Sequence, residues 1–87
     1  MHAVVVNVTI NDREAAERAL REQLVPGVSR APGFVTGYWT LKDNTGLTMI
    51  IFESEDTANA MSEQARAIVP DAMTLEGVEV REVAAHA

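Results

Sequence analysis

The spacing of apolar residues switches between a period of two and a period near 3.6 along this 87-residue chain, and the order of those switches restricts the fold more than any other feature. His2 to Ile10 (HAVVVNVTI) is apolar and β-branched, which predicts a strand. Asn11 stands three residues before Glu14, the spacing of a helix cap with a supporting glutamate. From Asp12 onward Ala16, Ala19, Leu20, Leu24 and Val28 share one helical stripe. Pro26-Gly27 interrupts it, which predicts a kinked helix reaching about Arg30 or, alternatively, one that stops at Val25. After the turn Ala31-Pro32-Gly33, Phe34 to Leu41 reads as a second strand and Leu47 to Glu53 (LTMIIFE) as a third. The turn-forming residues Lys42 to Gly46 join them as a hairpin. Ser54 caps a second helix whose stripe is Ala58, Met61, Ala65 and Ile68, stopped by Pro70. Thr74 to Val83 alternates as a fourth strand, with Ala84 to Ala87 a frayed tail.

The resulting order, βαββαβ, is two split βαβ units in sequence. It predicts a single α+β domain over residues 1–87, a ferredoxin-like four-stranded antiparallel sheet with both helices on one face. Size scaling gives such a chain a folded surface of about 5,000 Å², a small core that commonly needs further support. Cysteine is absent, so neither disulfides nor thiolate metal sites can supply it. The two histidines, His2 and His86, lie near opposite ends, so no imidazole metal centre and no cofactor is expected. Association is the support that remains.

Two helices cover one face of a four-stranded sheet, and the other face of a monomer should be polar. Here it is not. Val4, Val6 and Val8 oppose Ala3 and Val5 on the first strand, and Leu47, Met49 and Ile51 oppose Ile50 and Phe52 on the third. On the second, Phe34 and Tyr38 are assigned to the face opposite Val35, Trp39 and Leu41. An apolar second face predicts a homodimer through the sheets, with cover from loops and tail as the competing arrangement.

Thirteen acidic against seven basic residues give a net charge of −6, which disfavours nucleic acid as a partner. The start lacks the basic and apolar regions of a secretory signal, and no run approaches membrane-spanning length. A cytoplasmic location and no membrane partner are the expectations.

The βαββαβ order, Pro26 and the Pro32-Gly33-Phe34 segment, the Trp39 strand and the Phe52-Glu53-Ser54-Glu55 approach to the second helix together resemble the dimeric α/β-barrel superfamily. The nearest likeness is to its antibiotic-biosynthesis-monooxygenase-like domains. The resemblance implies a homodimer whose sheets pack into a barrel, with a pocket between sheet and helices in each subunit. It also implies a cofactor-independent monooxygenase-like activity on a small aromatic or phenolic molecule, with non-catalytic binding of a small ligand or a purely structural dimer as alternatives.

Asn7 is a polar side chain in an otherwise apolar strand, and it matches the strand-one asparagine that orients substrate in relatives of this kind. Asn7 and Trp39 are therefore the catalytic candidates, and Tyr38, Phe52 and Met61 the substrate-binding ones. A hydrogen-bonded structural asparagine and core aromatics are the plainer assignments for the same residues. Ser54 and Ser62 lack a histidine partner in the body of the chain, which excludes a serine-hydrolase triad. The missing element of an oxygenase is a general base, a role left to Asp43, Glu53 or water. Arg30 and Arg81 are candidates for an anionic substrate and, more simply, solvated surface charges.

Overall fold

β1 (His2–Ile10) lies inside the sheet, between β3 (Thr45–Phe52) and β4 (Met73–Glu82), and β2 (Phe34–Lys42) borders β3 at the edge. A computed structural model, covering residues 1–87, shows all three pairings to be antiparallel in the order β2-β3-β1-β4. This is the ferredoxin-like arrangement that the order of periodicities predicts. The β2–β3 hairpin turns on Asp43, at φ 55°, and Asn44, with the Thr45 hydroxyl donating to the Lys42 carbonyl at 2.7 Å.

The first helical segment runs as α1 (Arg13–Ala19), a π-helical stretch (Leu20–Leu24) and α2 (Val25–Ser29). Its cap is Asp12, whose Oδ1 accepts from the Ala15 N–H at 3.1 Å, and not Asn11 as expected. The reason is that Asn11 is still tied to the β4 side. Its backbone N–H donates to Ala72 O at 2.8 Å and its side chain to Thr74 Oγ1 at 3.0 Å. Pro26 has no N–H to give the Glu22 carbonyl, and the Val25 N–H reaches back five residues to Leu20 O. The helix thus passes the proline by widening one turn, which keeps Leu24 and Val28 on the same side.

α3 (Glu55–Ala67) begins at the expected cap, Ser54, whose Oγ accepts from Thr57 N at 3.2 Å, with Glu55 and Asp56 in its first turn. The helix ends one residue before Ile68, so this member of the expected stripe leaves the helical path and is 58% exposed. Gly33, at φ 79°, brings the chain into β2 where a side chain has no room: a Cβ there would stand 2.8 Å from Thr57 Oγ1.

The main core joins Val4, Ile50 and Phe52 from the sheet to Val28, Ala58 and Met61 from the helices. A smaller cluster of Ile10, Ala16 and Met73 closes the other end. Two side assignments made from strand alternation are corrected, those of Phe34 and Val35, the latter lying on the open face with Tyr38. The β2–β3 register slips between Phe34 and Thr36, so Phe34 lies on the helix side with Trp39 and Leu41, edge-on to Phe52 at 6.3 Å. A second slip, between Asn7 and Val8 against β4, lets Glu76 accept from the Thr9 hydroxyl at 2.6 Å. The chain exposes 5,510 Å². That is about a tenth above the scaling value for a monomer of this mass.

Candidate functional site

Three rows of side chains run across the helix-facing side of the sheet. The first is Val80, Val4, Ile50 and Gly37; the second is Val78, Val6, Thr48 and Trp39; the third is Leu75, Val8, Gly46 and Leu41. β3 therefore contributes Ile50 and Phe52 at one end and only Thr48 and Gly46 at the other. The large side chains are buried against the helices, while the small ones leave a gap. Gly46 has no alternative, since a Cβ would lie 2.7 Å from Val8 Cγ2.

Leu20 and Leu24, both from the π-helical stretch, roof this gap on one side, and Met61, Ala65 and the Ile68–Pro70 turn close it on the other. The cavity leaves about 80 Å³ for the centre of a water-sized sphere, within about 690 Å³ of empty space when its open mouth is counted. By the first measure a single water takes about 10–15 Å³. The space therefore suits a small organic group. Of its 19 lining residues 15 are hydrophobic, and none is ionisable. Three lining residues carry polar side-chain groups, Thr40, Thr48 and Trp39, and of these Thr40, paired with Leu47, turns its side chain to the other face. Thr40 is committed, donating to Leu47 O at 2.6 Å.

Trp39 and Met61 thus come together in the cavity wall. Phe52 is fully buried in the main core beside it, not lining the space. Asn7 and Tyr38 are on the other face of the sheet, because their register partners are Leu47 and Gly77 for Asn7 and Met49 for Tyr38. Asn7 is exposed and Tyr38 is 65% exposed. Asp43 lies in the hairpin turn and Glu53 beyond the end of β3, both exposed and neither at the cavity. Arg81 is paired with Glu79 on β4 at 2.8 Å, and Arg30 is exposed after α2. Thr48 and Gly46 were not among the residues singled out from the sequence. Their signal was visible there: two small side chains on the inward side of a strand that otherwise sends in Ile50 and Phe52.

The opposite face collects the exposed large hydrophobic residues Met1, Val35, Tyr38, Leu47 (46% exposed) and Met49 (44% exposed). Val83 N donates to Met1 O at 3.0 Å, and Ala84 to Ala87 border this face beyond it. The cover is partial: Ala3 and Val5 on this face are buried, while the side chains just named stay open. No helix is long and apolar enough to cross a membrane. The chain matches no protein-family model and no curated protein.

Proposed function

We propose that this protein binds a small, largely apolar molecule between its sheet and its helices, as a homodimer joined through the open sheet face. The observation that carries the binding reading is the cavity over Thr48 and Gly46. It is walled mainly by aliphatic side chains and free of ionisable groups. The dimer reading rests on Tyr38, Leu47 and Met49, an apolar group on a face with no helix over it.

Thermal denaturation with toluene as the probe tests the binding reading. Stability should rise with ligand by RT ln(1 + [L]/Kd), about 1.4 kcal/mol for each tenfold excess once the site is saturated. A melting temperature indifferent to toluene up to its solubility contradicts it.

A catalytic reading is favoured by one feature, the placement of Trp39 in the wall of a largely apolar cavity. It follows the resemblance to the antibiotic-biosynthesis-monooxygenase-like domains. A phenolic substrate supplies the electrons and dioxygen accepts them; one oxygen atom enters the ring to give a quinone and the other leaves as water. No lining residue can take the phenol proton, so it passes to solvent. With 1-naphthol as substrate, oxygen uptake matched one-to-one by naphthoquinone supports this reading. Binding of 1-naphthol without oxygen uptake leaves ligand binding as the function.

A further inference from the structure

The row Val78–Val6–Thr48–Trp39 holds one hydroxyl among apolar side chains. Threonine and valine have nearly the same shape, so packing alone does not call for a hydroxyl there. Elsewhere the hydroxyls of Thr9, Thr40, Thr45 and Thr57 each donate to a carboxylate or carbonyl of the protein, that of Thr74 accepts from Asn11, and that of Thr36 is unpaired. The Thr48 hydroxyl makes no such bond, and neither does the Trp39 indole N–H directly across the β2–β3 pair. His2 Nδ1 is the one sealed polar side-chain atom without a partner, so neither of these two groups is cut off from solvent. A donor beside an apolar wall that no protein acceptor occupies is free to pair with a ligand bringing both an acceptor and apolar surface.

We propose that Thr48 and Trp39 form a polar anchor that selects neutral, mainly apolar ligands carrying a carbonyl oxygen. The proposal rests on the cavity-binding reading and gives it a chemical class. A carbonyl oxygen has two lone pairs and can accept two hydrogen bonds. A charged ligand meets no ionisable side chain in this wall and is disfavoured by its lost hydration.

Acetophenone and α-methylstyrene separate the anchor from the cavity, because they differ by C=O against C=CH₂ at nearly constant shape. Trp39 is the only tryptophan, so its indole N–H gives a single signal in a ¹⁵N-labelled sample. Acetophenone should move that signal downfield, and α-methylstyrene should move it much less. Thr48→Val should weaken acetophenone about 5-fold, the effect of one hydrogen bond, and leave α-methylstyrene unchanged. Thr48→Ser, which keeps the hydroxyl, should keep the preference. Equal effects of Thr48→Val on both ligands overturn the anchor and leave the cavity reading standing. Failure of both ligands to bind the unmutated protein overturns the two together.

Discussion

The six-membered ring of Trp39 lies against Gly37, so close that a Cβ at position 37 would stand 3.0 Å from both Cζ3 and Cη2. The missing side chain of one β2 residue is thus what lets the indole lie along its own strand, with Phe34 beyond it, 3.6 Å from the same point. Gly37→Ala should push the ring toward the cavity. Alanine also relieves the strand of a flexible glycine, so the two effects on stability oppose each other. We expect a net change within about 1 kcal/mol in denaturant unfolding, together with a clear shift of the Trp39 indole signal and weaker toluene binding. An unchanged indole signal would show that the contact does not set the ring.

Gly46 and Gly77 make a matched pair on β3 and β4. At Gly46 a Cβ meets Val8 Cγ2 at 2.7 Å, whereas at Gly77 nothing lies within 4 Å. Gly46→Ala should destabilise by about 1–3 kcal/mol through overpacking of the cavity floor. Gly77→Ala should be neutral or stabilise by up to about 1 kcal/mol, since it only restricts the unfolded chain. Urea unfolding of both variants checks the contrast.

How far the sequence reaches is visible in these same residues. The β-branched run of β1, the Asp43-Asn44 turn and the Ser54 cap are local signals, and the elements they mark lie where that chemistry puts them. The apolar character of the second sheet face was equally legible, because Leu47, Met49 and Ile51 alternate with Ile50 and Phe52. What local chemistry could not give was register. The slip between Phe34 and Thr36 is a property of the β2–β3 pair, and it moved Phe34 to the helix side. Strand alternation separates Asn7 and Tyr38 from Trp39. Only the assembled roof of Leu20, Leu24 and Met61 shows that the gap lies on Trp39's side. The cavity itself arises where small residues on β3 face the Leu20–Leu24 stretch, a coincidence of two elements far apart in sequence.

Pro26 is the cause of that widened turn, since it withholds the N–H that Glu22 would otherwise receive. Pro26→Ala restores the donor, and the Leu20–Leu24 stretch should return to α-helical hydrogen bonding. Couplings across the hydrogen bonds should then pair the Val25 N–H with the Arg21 carbonyl in place of that of Leu20. Turning Leu20 and Leu24 relative to the sheet should also change the affinity for toluene. A Val25 N–H still paired with Leu20 O in the variant would place the cause of the π-helical turn elsewhere.

Met49 faces the open side, opposite Tyr38 on β2 and Val5 on β1. Light scattering should give twice the 9.4 kDa chain mass for the unmutated protein at micromolar concentration. Met49→Lys places a charge at the centre of the proposed contact and should return a monomer, with the cavity still able to take toluene. A monomer in both cases would contradict the sheet-to-sheet dimer.

The most direct test of the account is a methyl NMR map of toluene binding, because the two faces of the sheet carry different methyl groups. Shifts confined to Val6, Val8, Leu20, Leu24 and Met61 are the result expected for a ligand site between sheet and helices. Shifts at Val5, Leu47 and Met49 with the first group unmoved, or no shifts at all, would contradict it.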